Sequence, residues 1–472
     1  VVNFSPLYTV DELSHQVEDS GTRILVTLSA AALLPTALNV LNASGLERLV
    51  VGSVAGGLPM AKSLAYRLFK RSERVDLPGD DARVTRFSAL IANDGRFTPC
   101  AIDPARDVAL IQYTGGTTGT PKGARLTHQN LTANARQVNG LDPNAGQGDD
   151  RILGVLPFFH VFANTCVLNR TVMNGGEIIM LPRFDAGQAL AAVTRAKVTA
   201  MPGVPTMYQA LLDHPAMART NWGSLRVCIS GGAPMAAEIK ARFEAATGAK
   251  LVEGYGLTES AGVVTANPYA ADGRTGSIGQ PVPGTMVRIV DRDDPTRPAQ
   301  DGAPGEILVA GPQIMQGYWD NPAADADTFV DGWLRTGDIG VINADGYIRI
   351  VDRLKDMISV GGFKVYPSTI EKILYQHPAV KEALVLGMAD TYRGESPRAF
   401  VALTGAADSF GKGNDGKDAV SADALAAWLN AQLGKHERVD RVVIRDSLPK
   451  TMVGKLDRKG LRAMLDKEEV EA

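Results

Sequence analysis

Short apolar runs recur along this chain with helical stretches between them, and that alternation constrains the fold more than any other feature. VALIQYT, DRILGVLPFF, GEIIMLP, KVTAMPG, LRVCISGG and KLVEGYG have strand length, and nearly all run into Gly, Pro or Thr. Strands so punctuated and alternating with helices predict a parallel α/β sheet, whose loops gather at the carboxyl edge where ligands bind. The same pattern opens the chain, where RILVTL predicts a buried strand, an Ala/Leu-rich stretch a helix and ERLVVGS a second strand. From about Gly276 the runs become closely spaced, MVRIVD, GEILVAG, DGWLRTGD and GYIRIVDR, which predicts a β-rich, barrel-like subdomain over about 276–352. A charged segment, DRLKD, then leads into a smaller α+β region containing VKEALVLG and RVVIRDSLPK. The expected organisation is thus a large domain of packed α/β subdomains, 1–352, and a small α+β domain, 353–472. GAADSFGKGNDGKDAVSAD, residues 405–423, predicts a surface loop.

Composition narrows the function classes. With 472 residues, 45% hydrophobic and 21% charged, the chain is an ordinary globular one with room for several cores. A net charge of -3 does not advertise a nucleic-acid surface. Cys100, Cys166 and Cys228 are widely separated and form neither a CxxC pair nor an even disulfide set, so a reducing cytoplasm fits. Ile24 to Leu46 carries no charge, long enough to span a bilayer, but polar residues and Pro35 interrupt it, and strand plus helix is the plainer reading. No signal peptide opens the chain, and VVNFSPLYT reads as the end of a strand and a turn, as if the start were a cut.

YTGGTTGTPKGARLTH, Tyr113 to His128, lies between an apolar strand and a helical stretch. Its Thr hydroxyls, its Gly N–H groups and Lys122 suit the oxygens of a polyphosphate. It is not a P-loop, because Pro121 stands where that motif needs its second Gly and Gly123 where it needs a Mg-binding hydroxyl. Taken alone, a Gly/Thr-rich stretch could equally be a hairpin turn or linker.

Together with EGYGLTES at 253–260, GWLRTGDIG at 332–340, GYIRIVDRLKDMISVGGFKVYPSTIE at 346–371 and LPKTMVGKLDRK at 448–459, this loop resembles the ordered motifs of the adenylate-forming enzymes: acyl-CoA synthetases, luciferases and peptide-synthetase adenylation domains. VVNFSPLYT, LPFFHVFA, GSIGQPVPG and GPQIMQGYW bring the resemblance nearest to bacterial long-chain fatty-acid CoA ligases, which carry roughly a hundred further residues ahead of the segment matched here. A front lacking those residues would leave apolar surface exposed.

The resemblance implies an AMP-forming ligase that joins a medium- or long-chain fatty acid to ATP and passes the acyl group to coenzyme A, with a mobile small domain. Thr114, Gly115, Gly116, Thr117, Thr118, Gly119 and Lys122 would hold phosphate, helped by Thr258, Gly256 would belong to the nucleotide site, and Glu259 would be the Mg2+ ligand. Gly231, Gly232, Ala233 and Tyr255 resemble the adenine slot, and Asp338 and Arg353 the ribose contacts, although SGGAP is equally a strand-to-helix turn and a lone Asp an Asx turn. Lys455 resembles the catalytic lysine of adenylation. His160, with Phe158, Phe159 and Phe162, falls in the segment lining the carboxylate site and acyl tunnel, for which a core strand is the alternative. Lys355 would be the hinge, and Gly361 and Gly362 would border the CoA tunnel or simply form a β-turn. The resemblance leaves open an aryl or other acid, a carrier-protein acceptor, a non-catalytic nucleotide-binding form, a peripheral membrane contact and a homodimer.

Overall fold

A computed structural model describes residues 1–73, 75–79, 81–114, 121–145, 148–269, 273–404, 420–451 and 455–471. Most of the segment expected to be a surface loop, 405–419, lies outside them. The chain gathers into two compact units, one of Val1–Gly115, Pro121–His128 and Gln316–Asn321, the other of the remaining residues.

The first unit holds two three-stranded sheets. In one, Val108–Tyr113 pairs in parallel with Val2–Asn3 and antiparallel with Gly123–Thr127. In the other, Arg48–Gly52 lies between Ile24–Leu28 and Val84–Arg86, all parallel. The helix Val10–Ser20 begins with a reciprocal Thr9 and Glu12 cap and stops at Gly21, whose φ of 61° lies in the left-handed region. Leu13, Val17, Leu34, Val40, Leu41, Leu49 and Val51 form the core of this sheet. The expectation of a buried RILVTL strand needs correction: Ile24–Leu28 is an edge strand, with Ile24, Val26 and Leu28 exposed. Only the face that meets the helices is covered, and an apolar run does not reveal by itself whether one face or two will be buried. The charge-free stretch is split between this strand and the helix Leu34–Ala43. Among the described residues no helix is long and apolar enough to cross a membrane.

The second unit is organised by a seven-stranded sheet. Across it run Gln280–Pro281, Thr265–Ala266, Lys250–Tyr255, Val227–Ser230, Ala200–Gly203, Arg151–Gly154 and Glu177–Met180. The last five are parallel, so their carboxyl ends share one edge. From Arg151–Gly154 the chain first adds Glu177–Met180 on one side, then crosses to add Ala200–Gly203 on the other. That reversal leaves a crevice beyond the carboxyl ends of Arg151–Gly154 and Ala200–Gly203, where ligands of open α/β sheets bind. The Tyr208 hydroxyl, fully buried, donates to the Met201 carbonyl at 2.7 Å and lies 3.2 Å from that of Ile229, tying the helix Pro205–Asp213 to the sheet.

A five-stranded antiparallel sheet follows, with Met286–Val290, Gly305–Ala310, Trp333–Ile342, Phe329–Val330 and Ile348–Arg353. After Arg353 a further sheet joins Phe363–Val365, Ile358–Val360, Gly394–Leu403, Val380–Asp390 and Val442–Ile444. The helices Pro367–Leu374 and Ala422–Asn430 cover it through Ile370, Leu374, Leu425 and Leu429.

Candidate active site

Four loops meet at the switch point of the seven-stranded sheet. Leu156, Pro157, His160, Phe162 and Ala163 follow the strand Arg151–Gly154, Val204 follows Ala200–Gly203, and Gly232 follows Val227–Ser230; with Lys455 they enclose about 10 Å³, room for a single water at most. The LPFFHVFA segment is not the core strand that its apolar character also allowed. After Gly154 it turns at Pro157, and His160 caps the short helix Val161–Ala163, its Nδ1 accepting from the Phe162 N–H at 3.2 Å. A π-helical turn, Asn164–Asn169, continues it, an irregularity frequent near functional sites.

Burial, followed by the positive charge of Lys455, lowers the pKa of His160 to about 4, so its imidazole is neutral at ordinary pH. The pKa of Lys455 itself is lowered to about 8, first by burial and then by Arg353, while Asp338 acts in the opposite direction. The lysine is tied to Thr451: the Thr451 N–H donates to the Lys455 carbonyl at 2.7 Å, and the Lys455 N–H to Thr451 Oγ1 at 3.2 Å. The residues on either side are anchored, Lys450 on Glu382 at 2.5 Å and Arg458 on Glu371 at 2.6 Å.

Tyr255, Asp338 and Arg353 form a second group. Asp338 is buried, accepts from the Tyr255 hydroxyl at 2.5 Å and lies 3.1 Å from Arg353 Nε. Strand pairing sets this, since Asp338 and Arg353 are register partners across Trp333–Ile342 and Ile348–Arg353. Asp338 holds the Arg353 guanidinium above its ordinary pKa, and burial followed by the Asp338 charge raises the Tyr255 phenol. Lys355 is lowered by burial and then by Arg353, and the charge of Glu259 acts on both cations. The Glu259 loop is rigidly built: Gly256 lies so close to Gly262 that a Cβ would sit 1.6 Å from its carbonyl oxygen, and Asn134 exchanges two hydrogen bonds with Val263. Thr258 opens the 3-10 turn that carries Glu259. Among the described residues no group of three His, Cys, Asp or Glu could hold a metal.

The other expected positions are more scattered. Gly231 donates its N–H to the Gly203 carbonyl at 3.2 Å, and Ala233 follows in the bend after Gly232. Thr114 and Lys122 close a hairpin in the first unit, Thr114 N–H to Lys122 O at 2.9 Å, with the Lys122 ammonium 5.1 Å from the centroid of the Tyr318 ring. Gly115, Gly116, Thr117, Thr118 and Gly119 lie outside the described residues. Gly361 and Gly362 form the turn between Ile358–Val360 and Phe363–Val365, with the Gly361 N–H on the Arg393 carbonyl at 2.8 Å. Sequence reasoning missed Glu253 and Ser230, register neighbours on adjacent strands at the carboxyl edge. Burial raises Glu253 to about 7, although it accepts from the Met235 N–H, and the buried Ser230 hydroxyl has no partner among the described residues. A lone acid between the apolar Leu251 and Val252 and the Gly254 and Tyr255 that end the strand was the available signal.

Residues 1–319 match the AMP-binding enzyme family, and residues 369–455 match the AMP-binding enzyme C-terminal domain. The chain belongs to the AMP-binding enzymes. A long-chain-fatty-acid–CoA ligase of Bacillus subtilis (strain 168) is 38% identical over 477 residues, covering 100% of this chain and 81% of the relative. A feruloyl-CoA synthase of Amycolatopsis sp is 41% identical over 351 residues, 74% of this chain and 68% of the relative. ATP-bound MatB from Rhodopseudomonas palustris has a similar structure, with a TM-score of 0.78 at 29% identity, covering 98% of this chain and 82% of that one.

Proposed function

We propose that this AMP-binding enzyme activates a medium- or long-chain fatty acid with ATP and transfers the acyl group to coenzyme A. The observation that carries the reading is Lys455, a half-buried cation set at the switch-point cavity beside neutral His160, in a chain that aligns over its whole length with 81% of a long-chain-fatty-acid–CoA ligase. In the first step a carboxylate oxygen attacks the α-phosphorus and the bond to pyrophosphate breaks. The Lys455 ammonium bridges the two anions that must meet and stabilises the charge moving onto the leaving group. Asp338 and Arg353 hold the ribose hydroxyls, and Tyr255 with Gly231 and Ala233 borders the base. In the second step the CoA thiol attacks the acyl carbonyl, the thiol proton leaves to solvent, and AMP departs with its electron pair. Lys355 is the hinge between the two steps, and Gly361 and Gly362 offer a side-chain-free path to pantetheine.

Glu259 fits a Mg2+ ion held mainly by phosphate oxygens, since one carboxylate is the usual protein share of such a site; that ion would neutralise phosphate charge. By the family resemblance of their motif, the Gly/Thr residues and Lys122 would also contact phosphate. His160, kept neutral, adds no second positive charge against Lys455 and shapes the carboxylate end of the acyl channel. With only about 10 Å³ free, that end has to open before it admits an acyl group. Free Cys100, Cys166 and Cys228 support a reducing cytoplasm, while a peripheral membrane contact and a homodimer rest on the resemblance alone. The feruloyl-CoA synthase relative supports a second reading, an aryl acid in place of the fatty acid.

Acid-dependent pyrophosphate release, measured over a panel of acids with and without CoA, tests the assignment. Each buried methylene contributes about 0.8 kcal/mol, so specificity should rise with chain length until the tunnel ends. Best release with acetate or an aryl acid would overturn the fatty-acid assignment.

A further inference from the structure

The two glycines after Val227–Ser230 are pressed by different side chains. A Cβ on Gly231 would lie 3.2 Å from the Phe162 ring. A Cβ on Gly232 would lie 2.9 Å from Lys455 Cε and 3.5 Å from its Nζ, with Val204 Cγ1 next at 3.7 Å. The lysine stem therefore rests on the bare Cα of Gly232, and Val204 and Gly232 both wall the cavity that Lys455 enters. No carboxylate among the described residues pairs with this ammonium, so no ion pair fixes its tip. Its placement depends on the hydrogen bonds of its backbone to Thr451 and on the surface its methylenes lie against. Gly232 also has a φ of 86°.

We propose that Gly232 is the seat of Lys455: a positioning residue whose missing side chain lets the lysine reach the reacting anions during adenylation. The proposal rests on the reading of Lys455 as the adenylation lysine. It assigns the second glycine of SGGAP a task separate from bordering the nucleotide base. The seat matters only while Lys455 occupies it, so it serves the first half-reaction and is idle in the second. The atom that a new Cβ would meet is the far end of a flexible side chain, so Gly232→Ala displaces the lysine tip while leaving the backbone of the sheet in place. A displacement near 1 Å at a group that must bridge two anions costs about a hundredfold.

Gly276→Ala controls for backbone strain, because Gly276 has a comparable φ of 76°, is exposed and has open space around its Cβ position. Single-turnover acyl-adenylate formation and thioester formation from supplied acyl-adenylate are measured for wild type, Gly232→Ala, Gly276→Ala and Lys455→Ala, alongside thermal melting. Gly232→Ala should lose adenylation by about a hundredfold and keep thioester formation within about twofold of Gly276→Ala. The pH profile of adenylation supplies a readout that general destabilisation would not move. The wild-type rate should fall as pH rises past about 8 and Lys455 deprotonates, in a setting made by burial, Arg353, Asp338 and neutral His160. Lifted from its seat toward water, the lysine should titrate higher, shifting that limb to higher pH.

Adenylation by Gly232→Ala equal to that of Gly276→Ala overturns the proposal, and so does parallel loss of both half-reactions. If Lys455→Ala itself adenylates normally, the reading of the lysine has failed instead. Should Gly232→Ala not fold, Val204→Leu narrows the same seat without a left-handed backbone. Loss confined to adenylation is expected there, and wild-type adenylation overturns the proposal.

Discussion

Two lysines of one motif, LPKTMVGKLDRK, sit in opposite surroundings. Lys450 is exposed and pairs with Glu382 at 2.5 Å, whereas Lys455, five positions on, is half-buried without a carboxylate partner among the described residues and has its pKa lowered to about 8. The first cation is neutralised where it stands and fixes its segment to the sheet. The second is held ready without a counter-ion, so its charge is available to anions that arrive. Desolvation of an uncompensated ammonium is unfavourable, and the neighbouring anchors of Lys450 and Arg458 hold the segment against it. On the role proposed for Lys455, the motif separates a structural cation from a chemical one by what each is denied.

The largest expected break in this comparison is Lys455→Ala, which should lower steady-state ligase turnover by about a hundredfold or more. Lys450→Ala should leave turnover within about threefold and cost no more than about 1 kcal/mol of stability by chemical denaturation, as for other exposed pairs. Turnover lost equally in both variants would erase the distinction. Next in size is Lys355→Pro, which stiffens the segment after Arg353 and should slow overall turnover by about tenfold or more through the domain movement, measurable as a fall in kcat with little change in the KM for ATP.

A smaller effect sharpens the rule with a buried acid that also lacks an ion-pair partner among the described residues. Glu253, raised to about 7 by burial, is protonated in the folded protein at pH values where the unfolded chain has already ionised. Its folded pKa lies above the unfolded one, so stability is fully present below about pH 4.5 and declines as pH rises through about 7. Glu253→Gln should flatten that decline and be more stable at pH 8 by on the order of 2 kcal/mol, measured by urea unfolding across pH. An unchanged pH dependence would place the decline elsewhere.

Much of this molecule was legible from its sequence because strand-length apolar runs and their Gly, Pro and Thr stops are local signals. VALIQYT, LRVCISGG and KLVEGYG all contain strands. Non-local facts were not legible. That Glu253 faces Ser230 follows from the register of two strands, and that Ile24–Leu28 is an edge follows from what does not pack on it. LPFFHVFA was ambiguous because a short apolar run suits a strand or a buried helix equally, and Pro157 with the His160 cap decides for a turn and helix. The motifs named Gly232 and Lys455 separately, and only the fold lays one on the other.

The central claim is that Lys455 serves adenylation alone, and rapid-quench measurement of the two half-steps tests it most directly. Lys455→Ala should form acyl-adenylate about a hundredfold more slowly yet convert supplied acyl-adenylate and CoA to thioester at nearly the wild-type rate, with Lys355→Pro showing the reverse pattern. Parallel loss of both steps in both variants would contradict it.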